Sequence, residues 1–91
     1  MNQDIQPWIR LRWEKSTRYY EAHLHPDLWG EWILTVRWGR RGTRLGQARD
    51  RPCASYAEGM ARLAAVGMRR AQRGYRPSSI IRYDFISYYT V

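Results

Sequence analysis

Apolar and polar residues alternate along the first half of the chain with a period of two. Between positions 8 and 15, Ile9, Leu11 and Trp13 alternate with arginines. Residues 18–24 and 32–38 repeat the pattern, and their in-phase apolar positions are Tyr20, Ala22, Leu24, Trp32, Leu34, Val36 and Trp38. Because successive side chains of a strand point to opposite faces, each of the three segments is predicted to be a half-buried β-strand.

Turn-forming residues separate these segments. Residues 25–31 contain a proline, an aspartate and a glycine, which is typical of a turn. Residues 40–45 form a second predicted turn, a hairpin in which Gly42 takes a positive φ. Residues 46–52 are predicted to follow as a polar edge strand that ends at Pro52.

After position 55 the period changes to three or four residues. Ser55 and Glu58 have the spacing of a capping box, in which each side chain bonds a backbone N–H near the other residue. The apolar face that follows consists of Tyr56, Met60, Leu63, Ala64, Gly67 and Ala71. Arginines fall in the last turns, and Gly74 suits the left-handed position beyond the helix end. The sequence therefore predicts an amphipathic helix over residues 56–73.

The remaining segment, residues 75–91, is predicted to begin as a proline- and serine-containing linker and to end as a closing strand. The expected fold class is α+β, with a small antiparallel sheet of four to five strands and the one helix packed on it. A length of 91 residues allows one domain. We expect residues 1–91 to form it, with a core at about 8–75 and the linker and closing strand at 76–91.

Composition narrows the class of protein. With 44% hydrophobic and 14% aromatic residues, the chain is expected to fold rather than remain disordered. Cys53 is the only cysteine, so no internal disulfide forms and export to an oxidising compartment is not indicated. The start of the chain lacks the pattern of a signal peptide, and every apolar run is too short to span a membrane. We expect a cytoplasmic protein without membrane contacts.

The net charge of +8 is concentrated in one part of the sequence. Residues 1–36 carry a net charge of −1, whereas residues 37–76 contain eleven arginines and two acidic groups, a net charge of +9. The arginines form two clusters, one of Arg41, Arg44, Arg49 and Arg51 and one of Arg69, Arg70, Arg73 and Arg76. The sequence does not fix whether they share a face. Such clustering indicates an anionic partner, although a role in solubility is the alternative.

Trp38 stands where this charge begins, at the end of the third predicted strand. Its indole offers a flat surface on which a base or sugar can stack. Arg40 follows two residues later, on the same face of an extended strand, where its guanidinium can grip a phosphate. Alternatively, Trp38 completes the apolar stripe of its strand, and Arg40 covers it with its aliphatic stem.

Other chemistry has little support in the sequence. His23, His25 and Cys53 are too few and too poorly spaced for a zinc site, and His25 near Asp27 has no serine in a nucleophile context. The glycines of the arginine-rich turn lack the lysine and the following helix of a phosphate-binding P-loop. We expect no enzymatic activity, no metal, no cofactor and no small-molecule substrate.

Several of these motifs together resemble the WGR domain. "RWGRRGT" followed by "GQ", then "SYAE" opening a helix that ends in "RGY", resemble the family's characteristic sequence. "TRYYEAHL" is similar to its second strand, and "RYDF" resembles its closing strand in DNA-dependent poly(ADP-ribose) polymerases. The chain is identified as a member of this family, and we expect it to be of the stand-alone, bacterial type.

The resemblance implies a module that binds a DNA end. Our hypothesis for this chain is a non-catalytic nucleic-acid-binding module that prefers DNA ends, nicks or single-stranded tails without sequence specificity, with DNA favoured over RNA. The resemblance places the stacking tryptophan and its arginine at Trp38 and Arg40, and backbone contacts at Thr17, Arg18 and Tyr83. We add Arg41 and Arg44 from the charge of the turn. The alternative is a protein-interaction adaptor that uses the same basic face for an acidic partner protein.

Overall fold

The computed structural model describes residues 6–44 and 46–83, which form an antiparallel sheet with one α-helix on one face. The elements are β1 (Trp8–Lys15), β2 (Arg18–Pro26), β3 (Trp32–Arg40), β4 (Gly46–Pro52), α1 (Tyr56–Gln72) and β5 (Arg76–Tyr83). The five strands lie in the order β4-β3-β2-β1-β5. The predicted α+β class is confirmed.

The alternating apolar residues meet on one face of the sheet because the strands pair in phase. Leu24 lies opposite Leu34, and Ala22 lies between Leu11 and Val36. The buried hydrophobic residues are Trp13, Ala22, Leu24, Leu34, Val36, Cys53 and Leu63. The three predicted strands and the face that each one buries are confirmed.

Both ends of α1 are capped by the residues that the sequence indicates. The Ser55 hydroxyl accepts a hydrogen bond from the Glu58 backbone N–H at 3.1 Å. The Glu58 carboxylate reaches back to the N–H of Ala54 at 2.6 Å, one residue before the cap. At the other end Gly74 has a φ of 86° and donates to the carbonyl of Ala71 at 3.0 Å. The helix ends at Gln72, one residue before the predicted end.

The face that α1 buries is rotated relative to the prediction. Ala64 and Ala71 are exposed, whereas Gly59 is buried and Val66 packs against the core. A Cβ atom on Gly59 would lie 2.5 Å from Cδ1 of Leu24. The missing side chain therefore lets α1 sit directly on Leu24, and this close approach sets the rotation.

The final strand begins earlier than predicted. Residues 76–79, predicted to be a linker, belong to β5, with Arg76 opposite Glu14 and Pro77 opposite Trp13. The register shifts at this point of β1, and a proline is compatible with an irregular edge strand. The remainder of the predicted closing strand, residues 84–91, lies outside the described residues.

Within the described part of the chain, no helix combines the length and apolar character that crossing a membrane requires.

Candidate nucleic-acid interface

Most of the predicted site residues meet at one end of the sheet, where β1 ends, β2 begins and β3 ends. Arg18 lies directly opposite Arg40, and the backbone N–H of Arg41 donates to the carbonyl of Thr17 at 2.6 Å. We call this end the basic tip, and it consists of Thr17, Arg18, Trp38, Arg40, Arg41 and Arg44. Tyr83 is not part of it, because this residue pairs with Trp8 at the opposite end of the sheet.

Two like charges face each other in the basic tip. Arg18 and Arg40 are cross-strand partners, and both are exposed. Among residues 6–44 and 46–83, no carboxylate forms a salt bridge with either of them. Like charges directly opposite each other destabilise a sheet. An anion bound between the two guanidinium groups would remove this repulsion.

Arg41, in contrast, is held by the protein itself. Its guanidinium donates to the carbonyl of Ser16 at 3.0 Å and lies 3.5 Å from the carboxylate of Glu14. A hydrogen bond from Arg12 and the nearby charge of Arg41 lower the pKa of Glu14. Arg41 therefore fixes the β1–β2 turn, and any contact with a phosphate competes with this ion pair.

Trp38 connects the basic tip with the core. Its indole is half-buried, packs against the core and lies nearly parallel to the ring of Tyr20, with centroids 6.1 Å apart and planes inclined by 16°. A Cβ atom on Gly46 would lie 2.8 Å from the Trp38 carbonyl oxygen, so the glycine allows β4 to start close to Trp38. The two interpretations of Trp38 are thus compatible, since the side chain is packed and still lines a surface groove.

This groove runs between α1 and β4 and has a volume of about 410 Å³. It exists because α1 packs mainly on β2 and β3 and leaves the inner face of β4 uncovered. Its apolar floor includes Leu34, Val36 and Val66. Arginines line both sides, and we call it the arginine groove after Arg49, Arg51, Arg62, Arg69 and Arg70.

The strong positive charge of the arginine groove follows from alternation along β4. Arg49 and Arg51 point into the groove, whereas Asp50 points to the opposite face of the sheet, where its carboxylate accepts a hydrogen bond from Thr35 at 2.7 Å. In the described residues, the only salt bridge to a groove arginine joins Arg62 and Glu58, 3.7 Å apart. The arginines of β4 and of α1 therefore share one face.

Arg62 and Tyr20 are not among the site residues predicted from the sequence. Tyr20 lines the arginine groove, and the Arg70 guanidinium lies 4.1 Å from its ring centroid. Arg62 and Arg69 are seven residues apart, about two helical turns, and this spacing predicts that they lie on the same face of the helix.

Comparison with known proteins identifies the family of this chain. The WGR domain family matches residues 8–81. The chain belongs to the WGR domain family. The match extends from β1 into β5 and includes the basic tip and the arginine groove. Neither a curated protein nor a solved structure matches the chain. Membership of this family is consistent with a nucleic-acid-binding module.

The opposite face of this WGR domain carries the two histidines. The Thr35 hydroxyl donates to the Asp50 carboxylate at 2.7 Å, and Nε2 of His25 lies within hydrogen-bond distance of the same hydroxyl, at 2.9 Å. Asp27 bonds the backbone N–H groups of Trp29 and Glu31, not a histidine. No group of three or more potential metal ligands occurs in residues 6–44 and 46–83.

We expect His23 to make the stability of this WGR domain sensitive to acid. Burial and the adjacent His25, 4.4 Å away between ring centroids, lower the pKa of His23 from 6.5 to about 4. Above pH 6.5 both the folded and unfolded states are neutral at this position. Below it the unfolded state takes up a proton that the folded state does not, so the free energy of unfolding falls until about pH 4.

We therefore expect His23→Gln to reduce the loss of stability between pH 7 and pH 4.5 by about 1 kcal/mol, less than the full pKa difference would give because the half-buried imidazole is partly screened by solvent, measured by urea unfolding of both proteins at each pH. The loss of stability from pH 7 to pH 4.5 is determined for each protein, and the two losses are compared. The carboxylates, which also titrate in this range, contribute equally to both losses and cancel. An equal loss in both proteins would show that His23 protonates freely in the fold.

Proposed function

We propose that this WGR domain is a non-catalytic module that binds nucleic acid without sequence specificity and prefers DNA ends or nicks. The observation that carries the proposal is the Arg18–Arg40 pair, two exposed arginines at directly opposite positions of β2 and β3, neither with a salt-bridged carboxylate among the described residues, next to the Tyr20–Trp38 pair of the same two strands. Such a site combines strong positive charge with an aromatic surface at one point.

The chemistry of the basic tip supports binding to a backbone. Planar guanidinium groups form bidentate hydrogen bonds with phosphates, and these contacts carry no sequence information. Arg44, exposed in the β3–β4 hairpin, adds a third positive charge beside the pair. Phosphate binding of this kind supplies affinity for any sequence.

Trp38 supports the preference for ends. In a continuous duplex the faces of the bases are stacked inside, so an indole reaches none of them. At an end or a nick a terminal nucleotide exposes a face, on which an aromatic side chain can stack. The described residues of the basic tip include no paired carboxylates and no base next to a nucleophile, and we therefore propose binding without catalysis.

Salt dependence and DNA topology test this proposal. We expect a blunt or nicked duplex to bind more tightly than a covalently closed circle of the same sequence, measured by fluorescence anisotropy with the circle as competitor.

If about four phosphates are contacted, the slope of the logarithm of affinity against the logarithm of salt concentration is expected to be about −3 to −4. Absence of saturable binding at about 50 mM salt, where such contacts are strong, would refute the proposal.

A second candidate function is a protein-interaction adaptor, and one surface favours it. Leu28 and Trp29 are 93% and 82% exposed in the β2–β3 loop, at the end of the sheet opposite the basic tip. Two hydrogen bonds to the Asp27 carboxylate hold this loop. Exposed tryptophans are common energetic centres of protein interfaces. A complex that survives nuclease and high salt but is lost in Trp29→Ala would favour this function over nucleic-acid binding.

A further inference from the structure

The arginine groove has features that a duplex end at the basic tip does not use. It combines an apolar floor with arginines on two sides, Arg49 and Arg51 from β4 and Arg62 and Arg69 from α1. A ligand that fits it has negative charges along its edges and flat apolar surfaces between them. Single-stranded nucleic acid has this character, because its bases are free to stack on protein surfaces while its phosphates remain exposed.

We propose that the arginine groove binds a single-stranded stretch of nucleic acid that adjoins the DNA end. This inference rests on the proposed function, since the end itself is placed at the basic tip. Trp38 belongs to both sites, as it stands two residues before Arg40 and also lines the groove. A strand that leaves the tip past Trp38 therefore enters the groove directly.

The dimensions of the groove favour one strand over two. Its volume of about 410 Å³ lies at the lower end of the range for sites that enclose one small ligand, about 300–1,000 Å³. Arg62 and Arg69 are seven residues apart on α1, so they are spaced by about 10 Å along the wall. A short single-stranded segment fits such a space, whereas a duplex, with its base faces hidden, would leave the apolar floor without a partner.

The charge of the groove walls favours a polyanion. Arg49, Arg51 and Arg69 are exposed, and none of them forms a salt bridge with a carboxylate of the described residues. Arg70 is held differently, with its guanidinium 4.1 Å from the ring centroid of Tyr20 and 5.0 Å from that of Tyr75. It thus supports the aromatic part of the groove, while the other arginines face the ligand. An acidic peptide would satisfy the charges but would offer no flat group to the part of the Trp38 indole that lines the groove.

The test uses DNA hairpins that have one end each. One is blunt, one carries a single-stranded thymidine extension, and one carries an abasic extension of the same length and charge. Fluorescence anisotropy measures their affinities for the intact chain. We expect the thymidine extension to raise affinity about tenfold over the blunt hairpin, because each base that stacks on the protein adds binding energy. The abasic extension is expected to give a much smaller increase.

Two double variants locate the site. In Arg49→Gln/Arg69→Gln we expect the affinity ratio of extended to blunt hairpin to fall close to one. Arg10→Gln/Arg37→Gln removes the same charge from residues that line a depression on the opposite face of the sheet, and it is expected to keep the ratio. The ratio, rather than the absolute affinity, reports on the groove, because any loss of charge also weakens long-range attraction.

Distinct results overturn the inference and the proposed function. Tight binding of the blunt hairpin without a gain from the extension would overturn the inference alone. An equal gain from the abasic extension, or a ratio unchanged in Arg49→Gln/Arg69→Gln, would do the same. Displacement of the extension by an oligoglutamate peptide as effectively as by single-stranded DNA would assign the groove to acidic proteins. Failure of all three hairpins to bind would refute the proposed function itself.

Discussion

Replacement of Trp38 by alanine is expected to weaken binding of a blunt DNA end about 5- to 150-fold, because stacking on one base contributes roughly 1–3 kcal/mol. Binding to a closed circle, which offers no terminal face, is expected to change much less. Fluorescence anisotropy at fixed salt, with an end-labelled duplex and the circle as competitor, measures both effects. The selectivity for ends therefore falls together with the affinity.

The chain offers a matched control for this substitution. Trp29→Ala removes an equally large ring that is 82% exposed at the opposite end of the sheet, and it is expected to leave DNA affinity unchanged. Because Trp38 also packs on the core, its variant needs a parallel measurement of thermal unfolding. Trp38→Phe retains a flat ring and is expected to recover most of the affinity. Equal affinity of Trp38→Ala and the parent protein for the blunt end would show that the indole serves only packing.

The sequence predicted the elements of this fold well because their signals are local. Alternation through Ile9, Leu11 and Trp13 depends only on the period of a strand, and the cap at Ser55 depends on residues within one helical turn. The left-handed glycines, Gly42 and Gly74, follow from turn geometry in the same way. Each of these predictions depends on neighbouring residues in the sequence and requires no knowledge of tertiary contacts.

The predictions that failed or stayed open depend on contacts between distant segments. The spacing of apolar residues alone predicts Ala64 on the buried face of the helix. The rotation that exposes it comes from the approach of Gly59 to Leu24, which lies 35 positions earlier in the sequence. Pro77 indicated a linker, but an irregular pairing with β1 accommodates it in a strand. Local composition does not contain this information.

In the candidate site, too, one part is determined by neighbouring residues and the other by contacts between distant segments. The motif around Trp38 and Arg40 identifies the basic tip, since one hairpin and one turn bring its residues together. The arginine groove needs two further facts, that α1 lies over β2 and β3 and that β4 remains uncovered beside it. Charge counting finds the arginines, but only the placement of the helix shows that Arg49 and Arg69 line the same groove.

The close contact between the helix and the sheet leads to the second large expected effect. Leu24 is completely buried, and its Cδ1 atom occupies the space next to Gly59. Leu24→Ala is expected to lower the free energy of unfolding by about 3–5 kcal/mol, since it removes buried methyl groups and leaves a cavity. For a domain whose total stability is about 5–15 kcal/mol, this is a large fraction.

Gly59→Ala is expected to destabilise the domain as well, although alanine is the better helix former. The helix-propensity gain of about 1 kcal/mol is opposed by a Cβ atom placed 2.5 Å from a buried methyl group. Forcing extra volume into a packed core costs about 1–3 kcal/mol. The net loss is expected to be about 1 kcal/mol, measured by urea unfolding.

The double variant decides whether these two residues act through one contact. In Gly59→Ala/Leu24→Ala the new methyl group enters the space that Leu24 vacates, so the clash disappears and part of the cavity is filled. We expect the double variant to be more stable than the sum of the single changes predicts, with a coupling of about 1–2 kcal/mol. The contrary result is a double variant that loses the sum of the two single losses in the free energy of unfolding, with an unchanged slope of this free energy against urea concentration. That result would mean that Gly59 and Leu24 do not act through one contact.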